Sequence, residues 1–479
     1  MKIRPVLLAV GIMTALLGFA MIPCAAIDIA DGRSEWPVFA ISAFFSILIG
    51  AVLYLLSQGG EAETGQREAF VLTVLVWLVL PAVAAIPFVF SGYRLTDSVF
   101  ESVSGLTTTG ATVFTGLDEM PRGLLLWRAI LQWFGGIGII VTAIAILPQL
   151  RVGGMQLFQL ESSDVAGKFL PRVREIATQT GLVYVILSAL CALLYIVTGM
   201  APFDAVAHSM TTVAAGGFST HDTSFVGYQG TPVIWVAIVF MFLAGLPFSL
   251  LALALLNGRP LPLFTDPQPR LYLALAAGIS ALIAIVLAAQ PAAADVDAPM
   301  IVFNVLSVMT GTGYASAEYD AWGNGVAALF LITIFLGGCA GSAACGIKMF
   351  RLEISAKAVV AHAQRMVSPS RVASVRYAGR VVDEDTLQSV VVFVFLYLAT
   401  FLVAAALLGL AGEDTMTAMS AAAASVSNVG PGLGAEVGPY GNFQGLSDAS
   451  KWICLSAMLL GRLEFVAVFV VLAPRFWRG

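Results

Sequence analysis

Charge is what this 479-residue sequence has least of. Asp, Glu, Lys and Arg make up 11% of it against 59% hydrophobic residues, and the mean hydropathy is +0.92. A soluble domain carries about 25% charged residues, so the composition excludes one and indicates a polytopic protein lying almost wholly in lipid. The three histidines, His208, His221 and His362, are far apart in the sequence. Cys24, Cys191, Cys339, Cys345 and Cys454 are scattered without CxxC or metal-ligand spacing, which reads as small packing residues rather than disulfides or a metal site. Neither HExxH nor GxSxG occurs, so nothing points to an enzyme. No GxGxxG with a following acid and no GxxxxGK[ST] occurs either, so any nucleotide sensing has to come from a partner. No covalent cofactor and no nucleic-acid partner are expected. The net charge of −5 says little, because where the charges sit matters more than their sum.

What the sequence does have is long apolar runs, at about 5–27, 36–57, 69–90, 124–149, 175–199, 231–256, 271–289, 325–350, 388–410 and 449–473. Each meets the roughly 20-residue length of a span. The first, behind Met1-Lys-Ile-Arg4, is longer than a signal core and is read as a retained helix. Arg33, Arg94, Arg122 and Lys451 fall on one side of the spans, while nearly all other Lys and Arg fall on the opposite side, densest over Lys348–Arg380. Positive residues stay inside, so both termini are expected in the cytoplasm.

Four shorter segments, Thr96–Leu106, Pro202–Val213, Ala298–Met309 and Glu413–Val426, lie between the third and fourth, fifth and sixth, seventh and eighth, and ninth and tenth runs. At ~1.5 Å per residue they reach about halfway across a bilayer. Each leads into a loop rich in Gly, Thr, Ser or Asn: Gly105-Leu-Thr-Thr-Thr-Gly110-Ala-Thr-Val, Thr212-Val-Ala-Ala-Gly-Gly217-Phe-Ser-Thr, Val308-Met-Thr-Gly-Thr-Gly313-Tyr-Ala-Ser and Ser425-Val-Ser-Asn-Val-Gly430-Pro-Gly-Leu-Gly434. A loop that recurs four times in one membrane chain suggests four quarters around an axis. Irregular backbone at membrane depth is tolerated where it is buried in protein or lines a water-filled cavity. Carbonyls turned toward such an axis can replace the hydration shell of an alkali cation. Ordinary glycine-rich turns are the alternative for any one loop, and fourfold recurrence argues against it. Outer-side acids, Asp97, Asp118, Glu119, Asp222, Asp295, Asp297, Glu318, Asp320, Glu413, Asp414 and Glu436, either concentrate cations or form a solvated face.

Inside the runs, Arg462 stands out: a charge there costs several kcal/mol unless it meets water or a partner. Glu464 is a poor partner, since i and i+2 do not face each other on a helix. Arg128 and His208 read as satisfied structural polar residues, with a place in the pathway as the alternative. Gly337-Gly-Cys-Ala-Gly-Ser-Ala-Ala-Cys-Gly346 is either a tight packing stripe or an unwound segment. The interior shows no chain of Asp, Glu or His suited to a proton relay, which favours channel-like transport, with symport of protons or sodium left open.

Thr107-Thr-Thr-Gly110-Ala-Thr, Gly216-Gly217-Phe-Ser-Thr-His-Asp222, Asn428-Val-Gly430-Pro-Gly-Leu-Gly434 and Gly461-Arg462-Leu-Glu464 resemble the TrkH-type subunits of the Trk/Ktr/HKT superfamily of potassium transporters. The match runs essentially end to end, and the extra N-terminal hairpin sets it apart from the shorter KtrB type. The resemblance implies an all-α polytopic fold: an N-terminal hairpin over 1–60 and four pseudo-repeats of membrane helix, pore helix, filter loop and membrane helix over 61–150, 151–260, 261–387 and 388–479. It implies a potassium filter at Thr108, Thr109, Gly110, Ala215, Gly216, Gly217, Gly311, Thr312, Gly313, Asn428, Val429 and Gly430. Glycine at 110 is the potassium-selective form. It implies a gate made of Arg462, as an electrostatic barrier, and an intramembrane loop at Gly341, Ser342, Ala343, Ala344, Cys345 and Gly346. Ala343, Ala344 and Cys345 depart from the usual Thr and Gly, so a stiffer loop is expected. It further implies a homodimer in the bacterial inner membrane and a TrkA-type subunit with RCK domains docked on the basic inner face. The function implied is potassium uptake; a sodium-coupled or weakly selective monovalent cation transporter is the alternative.

Overall fold

The computed structural model describes residues 3–57, 65–145, 154, 169–290, 296–368, 373–463 and 465–478. It is helical almost throughout. Arg4–Ala30 and Trp36–Leu56 form an antiparallel hairpin that crosses where Gly11 meets Gly50; small residues let two helices approach when lipid supplies no hydrophobic drive. The buried Asp28 accepts from the amide of Gly123 (2.8 Å), and Asp31 pairs with Arg122, so the hairpin is tied to the start of the helix Arg122–Ala145.

After the hairpin one unit is repeated four times. A short helix (Leu95–Leu106, Pro202–Val213, Ala298–Thr310, Thr415–Ser427) leads into a loop. A single 3-10 turn follows (Leu117–Glu119, Val226–Tyr228, Tyr319–Trp322, Phe443–Gly445), and then a second apolar helix begins. The two later short helices start on acidic caps: Asp297 accepts from the amide of Met300, Asp414 from Met416 and Thr417.

Ten apolar runs do not become ten helices. Seven described helices are long and apolar enough to cross a membrane, eight if Pro232–Ala244 and Phe248–Leu255, bent by 107°, count as one. Three runs are broken. Run 231–256 kinks at Gly245-Leu-Pro247, where Pro247 has no N–H to continue the helix. Run 325–350 ends its helix at Phe335 and is irregular until Met349. Run 449–473 ends its helix at Arg462 and restarts at Val466. The first two breaks support each other. Cys339 donates to Gly245 O (2.9 Å), Ala343 to Ala244 O (3.2 Å) and Phe248 to Gly341 O (3.0 Å). Backbone groups freed by one break are thus paired by the other, which is what allows irregular chain inside a membrane.

On the far side from the short helices' loops, Met349–Val367 leads to a two-residue antiparallel hairpin, Arg376–Tyr377 with Arg380–Val381, the one sheet among the described residues.

Candidate ion pathway

The four loops share one backbone trajectory. Each short helix is closed by a left-handed residue, Thr108, Ala215, Gly311 or Asn428, with φ of 52°, 51°, 77° and 53°. Each donates its amide to a carbonyl three residues back: Gly105, Thr212, Val308 and Ser425. Such a cap pairs the helix's last carbonyls, and at Thr108 and Ala215 it does so at the cost of a conformation that side chains disfavour. Two residues later Gly110, Gly217, Gly313 and Gly430 are left-handed again, with φ of 85°, 76°, 77° and 91°. The residues between, Thr109, Gly216, Thr312 and Val429, are not. In a strand, φ keeps one sign and successive carbonyls alternate; alternating the hand turns successive carbonyls to the same side.

The loops close into a ring. A Cβ added at Gly110 would collide with the carbonyl oxygen of Gly216, one at Gly217 with that of Thr312, and one at Gly313 with that of Val429. One at Gly430 would lie 2.8 Å from that of Thr109. Each glycine therefore abuts the carbonyl of the next loop's middle residue, and the fourth returns to the first. Above the ring a cavity of about 70 Å³ is lined by all four glycines together with His221 and Asp222. The short helices end here, so their negative dipole ends face this axis.

Several polar side chains around the ring are paired. Thr107 and Thr109 hydroxyls lie 2.7 Å apart, as do Thr310 and Thr312, and Asn428 Nδ2 donates to Thr109 Oγ1 and Met458 O, both at 2.9 Å. Arg128 is fully buried: its guanidinium donates to Glu101 (2.8 Å), Ser219 O (2.8 Å) and Thr112 Oγ1 (3.2 Å) and lies over the Phe218 ring. Breaking such a buried pair costs about 3–5 kcal/mol, so Arg128 holds the first loop to the second. His208 bonds Asp204 O and Ser219 Oγ. Sequence reading missed Glu101 and Gln132. The signal for Gln132 was a second polar residue four positions after Arg128, on the same helix face.

The outer acids divide. Asp222 lines the mouth, accepting the amide of Leu117. Asp118 and Asp204 flank His221, which is held at a pKa of about 9 by hydrogen bonding to Asp204 first and then to Asp118. The same contact keeps the Asp118 carboxyl below its usual range. Asp97 pairs with the buried Lys451, Asp320 accepts from the amide of Gly434, Glu413 accepts from Ser450, and Asp297 and Asp414 are helix caps. Much of the expected acidic vestibule is therefore structural. Asp295 lies outside the described residues.

Directly beneath the ring sits the segment 336–348. Its ends meet through a parallel bridge between Leu336 and Ile347. Cys345 donates its amide to Thr310 O and Gly346 to Ser427 O (both 3.2 Å), so the segment hangs from the ends of the third and fourth short helices. Gly341, Ser342, Ala343 and Ala344 are buried in the same turn. Cys345 Sγ lies 3.7 Å from Thr108 Oγ1 and 2.7 Å from Arg462 Nη1. Arg462 is buried, its Nε and Nη2 have no partner among the described residues, and Glu464 lies outside them. A cavity of about 30 Å³, room for roughly one water, is lined by Cys345, Gly346, Lys348, Asn428 and Arg462. Of the basic stretch Lys348–Arg380, Arg351 turns into the protein over the Phe393 ring (3.6 Å), while Arg376 and Arg380 stay exposed.

The sequence pattern of the TrkH family, described as cation transport protein, matches residues 35–478. The chain is 38% identical to the Trk system potassium uptake protein TrkI of Halomonas elongata, over 99% of this chain and 97% of that one. It is 37% identical to the Trk system potassium uptake protein TrkH of Salmonella typhimurium over the whole of both. Its fold matches the crystal structure of the potassium transporter TrkH from Vibrio parahaemolyticus with a TM-score of 0.90 and 32% identity, over 100% of both chains.

Proposed function

The chain belongs to the TrkH family of cation transport proteins, and on that premise we propose that it takes up potassium through a channel-like pathway. It is a transporter rather than an enzyme. The observation that carries the proposal is the ring: four loops of alternating backbone hand, each glycine abutting the next loop's carbonyl. Thr108, Thr109 and Gly110, with their counterparts in the other three loops, would offer carbonyls in place of water to a dehydrated potassium ion. The ion is cargo, and no covalent cofactor takes part.

Beneath the filter, Arg462 and the segment Gly341–Gly346 form the gate. A guanidinium with two nitrogens unpartnered among the described residues raises the energy of a cation passing it, and the glycine-flanked segment is the part able to withdraw. The division into a hairpin and four repeats follows the same reading. Both termini are assigned to the cytoplasm of a bacterial inner membrane, with the ring toward the outside, by the distribution of Lys and Arg. The exposed Arg376 and Arg380 support docking of a TrkA-type RCK subunit, through which a nucleotide would act on a dimer.

Radiolabelled rubidium uptake into proteoliposomes tests this, with Gly110→Ser beside the unaltered chain. Uptake blocked by K⁺, spared by Na⁺ and altered in the variant is expected. Uptake blocked equally by Na⁺ favours the weakly selective transporter, and uptake untouched by Gly110→Ser sinks the filter assignment.

A further inference from the structure

At the residue before the ring glycine, the second loop departs from the other three. The residue before the ring glycine is β-branched in three loops, Thr109, Thr312 and Val429, and glycine in the second, Gly216. Backbone conformation does not demand this glycine, since Gly216 is not left-handed. Its side-chain space is occupied instead: a Cβ on Gly216 would lie 2.5–2.9 Å from the Cδ, Oε1 and Nε2 of Gln132.

Gln132 comes from the helix Arg122–Ala145, in the repeat before, and is fully buried. Its Nε2 donates to Gly216 O at 2.7 Å and its Oε1 accepts from the amide of Phe218 at 3.0 Å. The amide's direction follows from chemistry: a backbone N–H only donates, so Oε1 faces Phe218 and Nε2 is left for the carbonyl. The two bonds straddle Gly217. Among the described residues, none of the other ring carbonyls, Thr109 O, Thr312 O or Val429 O, receives a side-chain donor.

We propose that Gln132 is a positioning residue that sets ion selectivity through the Gly216 carbonyl; this rests on reading the ring as the potassium filter. The carbonyl oxygen has two lone pairs. One is held by the Gln132 amide, which fixes the oxygen in place and draws electron density from it, and the other is free for the cation. A ring oxygen that is pinned and weakened cannot collapse onto a smaller ion. The field strength and freedom of the coordinating carbonyls distinguish K⁺ from Na⁺, so the asymmetry biases the ring toward the larger one.

The test is rubidium uptake by proteoliposomes of the full chain, read as the concentrations of K⁺ and of Na⁺ that halve it, with maximal rate recorded separately. Gln132→Met keeps the volume and removes both bonds. The Na⁺-to-K⁺ ratio is expected to fall about fivefold, the factor one hydrogen bond carries, with a smaller change in maximal rate. Gln132→Ala combined with Gly216→Thr, which gives the second loop the side chain of the other three, is expected to recover part of the ratio. If Gln132→Met yields no folded protein, Gln132→Leu, which has similar volume and no hydrogen-bonding group, carries the same expectation. An unaltered ratio in a folded Gln132 variant, while Gly110→Ser shifts it, overturns the role of Gln132 and leaves the filter standing. An unaltered ratio in both overturns the filter reading and this inference with it.

Discussion

The two tiers of the pathway are built on opposite plans. At the ring, four loops drawn from separate stretches of chain repeat one sequence of backbone hands and one contact from glycine to carbonyl. Immediately beneath, the repetition stops. One segment, 336–348, hangs from two of the short helices, and one guanidinium, Arg462, meets its sulfur. A spherical ion has to be met from all sides, so the proposed filter requires near-equivalent ligands. An obstruction needs one part that can withdraw, so the proposed gate can come from two of the four repeats, Gly341–Gly346 from the third and Arg462 from the fourth. The broken helices serve the lower tier, because the kink at Gly245-Leu-Pro247 supplies the backbone partners for the segment beneath the ring.

Alanine at the ring glycines strikes the upper tier and has the largest expected effect. Each substitution puts a Cβ on left-handed backbone and drives it into a neighbouring loop. The backbone strain alone is about 1–3 kcal/mol per site, which corresponds to roughly fivefold to 150-fold less K⁺-competed uptake. The overlap is greatest at Gly217 and smallest at Gly430. Gly217→Ala should therefore be the most damaging and Gly430→Ala the mildest, measured as rubidium uptake per reconstituted protein. Four equal losses, or the reverse order, would break the picture of a ring whose members touch head to tail.

Removing the charge of the lower tier acts in the other direction. Arg462→Ala should raise single-channel conductance by about tenfold, the factor for 1.4 kcal/mol of barrier, while the K⁺-over-Na⁺ preference stays. Cys345→Ala, which removes the sulfur that receives Arg462 and touches Thr108, should give a smaller rise through more frequent opening. Conductance unchanged in Arg462→Ala would remove the arginine from the gate. Labelling of the buried Cys345 by a cytoplasmic thiol reagent should depend on the open state, and state-independent labelling would count against a segment that moves.

How much of this was legible in the sequence follows the same division. The four short helices were readable because an apolar segment of half the membrane's thickness, followed by glycine, has few other uses in lipid. Their bounds moved by only a residue or two. The breaks were not readable from hydropathy, which reports apolar runs at 231–256 and 325–350 whether or not the helix continues. Pro247 and Gly337-Gly338 were the local signals, but the partners that make breaking tolerable lie about a hundred residues away in sequence. Glu101 and Gln132 escaped for the same reason: their bonds run to Arg128 and to Gly216, 27 and 84 residues distant. The outer acids were over-read. Composition cannot tell a carboxylate free to attract cations from Asp297 or Asp414, which stay exposed but cap helices.

The smallest expected effect lies at the mouth of the upper tier and separates it from the lower by pH. His221 sits between Asp118, from the stretch after the first loop, and Asp204, at the start of the second short helix, with His208 stacked at 6.2 Å and Tyr228 beside it. Its folded pKa of about 9 is raised above the ordinary 6.5. A raised histidine contributes stability that is fully present below about pH 6.5 and is lost as the pH climbs through 9. One-third exposure of the ring screens the pair, leaving an effect of about 1 kcal/mol. Thermal unfolding of the purified protein should therefore show Tm falling between pH 6.5 and 9.5, and the fall should be shallower in His221→Asn. Parallel slopes for the two proteins would mean that the bridge between the first two loops contributes nothing to holding them. A shallower slope in His221→Asn, with the single-channel conductance of the lower tier unchanged over the same range, would place this titration in the ring's outer support alone.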